Sequence, residues 1–153
     1  MSEHKATVSW AFSGEDFARG KFSREHTWSF DGGVTVPASA APGVVPVPYS
    51  NPAAVDPEEA FVASLASCHM LTFLFVAYRK GFVVERYVDA AVGVMSKNAE
   101  GNLWVSEVVL SPQITYAEGK RPSYEDETQL HDGAHHHCFI ANSVKSTITV
   151  KRQ

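Results

Sequence analysis

Residues 56–81 read DPEEAFVASLASCHMLTFLFVAYRKG, and this stretch decides the fold. Its start carries three agreeing helix signals. Asp56 can cap free backbone amides, Pro57 suits the first helical position, and Glu59 stands three residues after the cap. Arg79, Lys80 and Gly81 close it with the charge and the flexible residue that a helix C-terminus favours. Between Glu59 and Arg79 there is no Asp, Glu, Lys or Arg. A run of that length would suit a membrane span, but Ser64, Ser67, Cys68, His69 and Thr72 interrupt it. The reading adopted is a helix buried on nearly all sides. One small domain cannot easily surround such a helix, so the expectation is burial by a second subunit.

Upstream, the chain reads as strands. Val8, Trp10 and Phe12 alternate with Thr7, Ser9 and Ala11, and Trp28 and Phe30 alternate with Thr27 and Ser29. Asp31-Gly32-Gly33 predicts a hairpin in which Val34, Thr35 and Val36 pair back. Pro37 to Pro57 holds six of the eight prolines and reads as an extended loop. Downstream, Tyr87–Met95 and Leu103–Leu110 flank the turn cluster 98–102 and predict a hairpin. Gln113–Tyr116 continues as a strand. A second helix is predicted from Ser123 to about His137, weakened at Gly133, and Ser146–Val150 is a last strand. Hairpin runs imply antiparallel sheets, hence an α+β fold, read as one domain over residues 1–153.

Composition sets limits on function. The 153 residues carry 13 Lys+Arg against 17 Asp+Glu, a net charge of −4. That balance argues against nucleic-acid binding and against an anionic membrane surface. The N-terminus is polar, without an apolar signal region, so the expectation is a cytoplasmic protein. The two cysteines, Cys68 and Cys138, are far apart in sequence. In a reducing compartment they read as a redox or nucleophilic pair, or as two inert buried thiols.

Cys68 lies in mid-helix between Ser67 and His69, and no Lys or Arg stands within ten residues of it on the helix. Any cation that favours its thiolate must come from elsewhere in the fold. His69 is about 100° round the helix from Cys68 and reads as a packed or hydrogen-bonded histidine, not as a base. Cys138 follows His135-His136-His137, with His131 upstream. His131 and His135 share a helix face at i, i+4, so a metal site with Cys138 is a third, weaker option. The spacing matches no closed zinc motif, so no metal is expected. Glu58 stands ten residues before Cys68, about 15 Å along a straight helix. It acts with Cys68 only if a second chain supplies it; otherwise it is a carboxylate favoured at a helix N-terminus.

Asn51 to Met70, with Pro57-Glu58 ten residues before Cys68 in an Ala/Ser-rich helix, resembles the OsmC/Ohr family of osmotically inducible and organic hydroperoxide resistance proteins. Ala134 to Cys138, followed by Asn142 and Ser143, resembles that family's second cysteine motif. The resemblance implies an intertwined α+β homodimer, with antiparallel sheets wrapped around buried central helices. It implies a cysteine-based peroxidase with no cofactor that acts on organic hydroperoxides or hydrogen peroxide in oxidative stress defence. Cys68 would be the peroxidatic cysteine and Cys138 the resolving one. Glu58 would match the family's glutamate, and Arg24 its arginine, with Arg19 as the alternative. An external dithiol, commonly a lipoyl group in this family, would reduce the disulfide. Three features depart from the family pattern. Phe139 stands where many members have proline, His69 stands where an aromatic residue is frequent, and the histidine run is dense. They point to an OsmC-like branch and keep open a non-catalytic binding protein of the same fold.

Overall fold

The computed structural model describes residues 1–152. They form an α+β structure with two compact units, Met1–Ala60 and the remainder from Phe61.

In the first unit, β1 (Ala6–Ser9), β4 (His26–Phe30) and β5 (Thr35–Ala38) form an antiparallel sheet in that order. The expected hairpin closes at Gly33, whose φ of 87° suits glycine. The Gly33 amide donates to the Phe30 carbonyl and the Phe30 amide to the Val34 carbonyl, each at 2.9 Å. Two expectations need correcting. The first strand ends at Ser9, so Trp10 and Phe12 lie outside it. They join Phe17 and Phe22 in an aromatic cluster around the unforeseen hairpin β2 (Gly14–Asp16) and β3 (Lys21–Phe22). Trp10 leaves the strand with its indole N–H satisfied by the Ser23 carbonyl at 2.9 Å. Pro37 is not in the loop; it pairs with Thr27 within β5. β5 is an edge strand, where a missing N–H can face away from the ladder.

The long helix, α1 (Pro57–Arg79), starts and stops where its residues direct. Asp56 Oδ1 accepts from the Glu59 amide at 2.7 Å, and Glu59 Oε2 accepts from the Asp56 amide at 3.2 Å, a reciprocal cap. Gly81, at φ 84°, ends it. By length and composition alone α1 could cross a bilayer. Burial on nearly all sides is not what one chain achieves. Leu65, His69, Phe73 and Ala77, four apart, form one buried stripe, while Leu71, Phe75 and Tyr78 stay exposed. A helix seated on one sheet and one neighbouring helix covers about that much of its circumference.

The second unit holds β6 (Val84–Asp89), β7 (Val92–Lys97), β8 (Leu103–Leu110), β9 (Pro112–Tyr116), α2 (Tyr124–His137) and β10 (Thr147–Val150). β7 and β8 make the expected hairpin, whose turn is tied by Asn98 Oδ1 accepting from the amides of Glu100 and Asn102. The segment read as one strand, Tyr87–Met95, divides at Ala90–Ala91. Its first part pairs with β9 and its second with β8. One pairing is parallel: β10 lies beside β8. Ser123 caps α2 by accepting from the Asp126 amide at 3.1 Å. The stripe of α1 meets two apolar clusters. Phe73 and Ala77 pack with Leu130 and Ala134 of α2, and Leu65 packs with Val108 and Leu110 of β8. His69 stands on the stripe between them.

Candidate functional site

The two cysteines, 70 positions apart in sequence, meet in the second unit. Cys68 is half-buried in the middle of α1, and Cys138 is the C-terminal cap of α2, 1% exposed. Both are free thiols, and they are near neighbours. Burial first, and then the neighbouring Cys68 thiol, push the Cys138 thiol up from its ordinary value. The Ala141 amide donates to Cys138 Sγ at 3.3 Å and opposes the rise, as does the Ile140 backbone. The chain after α2 is pinned to hold this geometry. Asn142 Nδ2 donates to the carbonyls of His136 and Cys138, each at 2.9 Å, and Ser143 Oγ donates to the Phe139 carbonyl at 2.8 Å. The arrangement therefore has one accessible sulfur beside one sheltered sulfur. Chemically, oxidation of an accessible sulfur can be followed by its capture by a neighbouring thiol.

Beside them is a pair that the sequence reading did not identify. His69 Nε2 lies 3.0 Å from His131 Nδ1, the rings are nearly parallel, and the residues are 2% and 5% exposed. Burial, with His131 and His135 nearby, lowers His69 from 6.5 to about 4. Burial and the Arg152 guanidinium lower His131 to about 4. Both rings are neutral at pH 7, so one donates and the other accepts. The signal was present in the sequence: His69 falls at i+4 from Leu65 and i−4 from Phe73, on the buried stripe, where a polar group needs a partner. The expectation that His69 is hydrogen-bonded holds. His131 turns inward to His69 while His135 is exposed, and among the described residues no three His, Cys, Asp or Glu side chains group as a metal site requires.

Arg24, Arg19 and Glu58 belong to the first unit. The Arg24 guanidinium lies 3.6 Å over the Phe22 ring and donates to the carbonyls of Gly20 and Phe22. It borders an apolar groove of about 470 Å³ with Val8, Trp10, Phe17 and His26. Arg19 is exposed and pairs with Asp16 at 3.5 Å. Glu58 is half-buried in the first turn of α1, and the capping role belongs to Glu59. Among the described residues, no ion pair includes Arg24 or Glu58.

A second groove, of about 730 Å³, runs over the outer face of α1 between Leu71, Phe75, Val76, Arg79 and Phe139. Phe139 is 83% exposed there.

Comparison with known proteins places this geometry. No curated protein sequence matches the chain. The fold is that of an OsmC-like protein of unknown function from Vibrio cholerae O1 biovar eltor, 48% identical over 100% of both chains, with a TM-score of 0.96. An organic hydroperoxide resistance protein OsmC from Legionella pneumophila is 16% identical, over 99% of this chain and 96% of its own, with a TM-score of 0.71. The organic hydroperoxide resistance protein OhrB of Bacillus subtilis is 17% identical, over 99% and 97%, with a TM-score of 0.66. At those identities the last two speak for the fold alone. Residues 50–152 match the family described as OsmC-like protein, and the chain belongs to that family.

Proposed function

We propose that this protein is a thiol-dependent peroxidase that reduces organic hydroperoxides or hydrogen peroxide through Cys68 and Cys138. One observation carries the reading: the half-buried Cys68 and the buried Cys138 are brought next to each other where α1 and α2 pack. Accessibility assigns the roles. The Cys68 thiolate attacks a peroxide oxygen, the O–O bond breaks, and the alcohol or water leaves with a proton. Cys68 becomes a sulfenic acid. The Cys138 thiol then attacks that sulfur, the S–O bond breaks, and water leaves. An external dithiol, of which a lipoyl group is one kind, exchanges with the disulfide and is itself oxidised to a disulfide. No cofactor takes part.

In this reading Arg24 favours the thiolate of Cys68, and Glu58 orients the guanidinium. The working protein is a cytoplasmic homodimer in which the whole chain acts as one domain. The family membership and the hydroperoxide-resistance names of two fold relatives support it. A second reading, a binding protein without turnover, is favoured by the apolar groove beside α1.

Peroxide loss separates the two readings. Cys68→Ser is expected to abolish consumption, because it removes the nucleophile. Cys138→Ser is expected to perform a first turnover and then over-oxidise Cys68 to the sulfinic acid, visible by mass spectrometry. If Cys68→Ser consumes peroxide like the parent, the binding-protein reading replaces this one. Arg24→Ala is expected to slow the attack while the protein stays folded.

A further inference from the structure

His69 and His131 join the same two helices that carry the cysteines. His69 follows Cys68 directly on α1, and His131 lies two turns before Cys138 on α2. Their bond, 3.0 Å long and shielded from water, is a buried polar link between two surfaces that meet mainly through apolar side chains. The apolar contacts of Phe73, Leu130, Ala134 and Val76 are non-directional and set no single register by themselves. A hydrogen bond between two planar rings fixes distance and direction. Phe73 packs against His131 with ring centroids 4.5 Å apart and the rings tilted by 37°, which limits movement of that imidazole.

We propose that the His69–His131 pair is a positioning device that sets the register of α1 against α2, so that Cys68 and Cys138 close into a disulfide. The inference rests on the two-cysteine reading above and names neither histidine as a base: a ring that stays neutral down to about pH 4 is a poor proton acceptor. In the step that it serves, the Cys138 sulfur bonds to the Cys68 sulfenic sulfur, the S–O bond breaks, and the hydroxyl leaves with the thiol proton as water.

The test uses equilibrium with dithiothreitol, which needs no peroxidase activity. Exchange forms the Cys68–Cys138 disulfide while oxidised dithiothreitol is reduced, and thiol labelling with mass spectrometry counts the disulfide. His69→Leu/His131→Leu removes both polar partners together, so no orphaned group is left to unfold the core. It is expected to lower the disulfide equilibrium constant about tenfold or more, since a disulfide closed with poor geometry is strained and more easily reduced. His69→Gln places an amide nitrogen near Nε2, and His131→Asn places one near Nδ1. Each keeps a bond and is expected to restore most of the loss. With peroxide, the double leucine variant is expected to keep the parent's rate of first attack at Cys68 and to accumulate more sulfinic acid. A double leucine variant that folds and forms the disulfide like the parent would overturn the proposal. So would amide variants that behave like leucine. If the parent forms the disulfide with dithiothreitol but ignores peroxide, the peroxidase reading falls and the positioning role stands.

Discussion

At the scale of single residues, the site rests on contrasts of burial. Cys68 is reachable and Cys138 is not, which is why the first is assigned the attack and the second the capture. The histidine pair gives a prediction in pH. Both rings have folded values near 4, against 6.5 for an ordinary histidine, chiefly because burial penalises the charged form. The unfolded chain therefore takes up protons near pH 6.5 that the folded chain refuses until about pH 4. Their contribution to stability is present above pH 6.5 and is lost as the pH falls from 6.5 towards 4. Urea midpoints at several pH values should show that loss, and His69→Leu/His131→Leu should flatten it. A parent midpoint constant from pH 7 to 4.5 would contradict it. Of the candidate site, the sequence offered the two cysteines that the fold brings together. The histidine pair was missed because each histidine was weighed against its own helix. The partner of a buried polar residue is a tertiary fact, and spacing along one helix does not carry it.

At the scale of elements, two glycines give predictions of opposite sign. Gly133 sits inside α2, and a β-carbon there would meet Val76 no closer than 3.8 Å, an ordinary contact. Gly133→Ala is expected to stabilise the protein by about 0.5–1 kcal/mol through helix propensity and a stiffer unfolded chain. Gly93 lies on β7 directly under α1, and a β-carbon there would come within 2.6 Å of Val62 Cγ2. Valine in a helix has one strongly preferred rotamer and cannot turn aside. Gly93→Ala is expected to cost about 1–3 kcal/mol as the helix is pushed off the sheet. Chemical denaturation of the two variants checks both signs; a stabilising Gly93→Ala or a destabilising Gly133→Ala would show that this packing is wrong. The helices were legible because their caps, Asp56 with Glu59 and Ser123 with Asp126, are local chemistry. The strands were less so. Tyr87–Met95 reads as one strand because no turn residue marks the break at Ala90–Ala91, and the change of partner from β9 to β8 is decided by the sheets. Pro37 misled because a proline is compatible with an edge strand, and which strand is an edge is decided by the sheet.

At the scale of the whole molecule, the sequence raised a question that one chain leaves open. Leu71 and Phe75 on the outer face of α1 are 60% and 55% exposed, and Phe139 borders the same groove. Exposed apolar area of this kind marks an interaction surface. The account expects a second copy to cover it. Sedimentation should give a dimer, and Phe75→Glu should weaken or abolish it; a stable folded monomer of the parent at micromolar concentration would contradict the dimer. The central claim, that Cys68 and Cys138 are a working redox pair, has a more direct test. The reduced protein is mixed with one equivalent of an organic hydroperoxide, and its intact mass and cysteine-containing peptides are measured. The account predicts the loss of two hydrogens per chain and one linked peptide joining Cys68 to Cys138 of the same chain. Two thiols that remain free while the peroxide persists, or a disulfide between different chains, would contradict it.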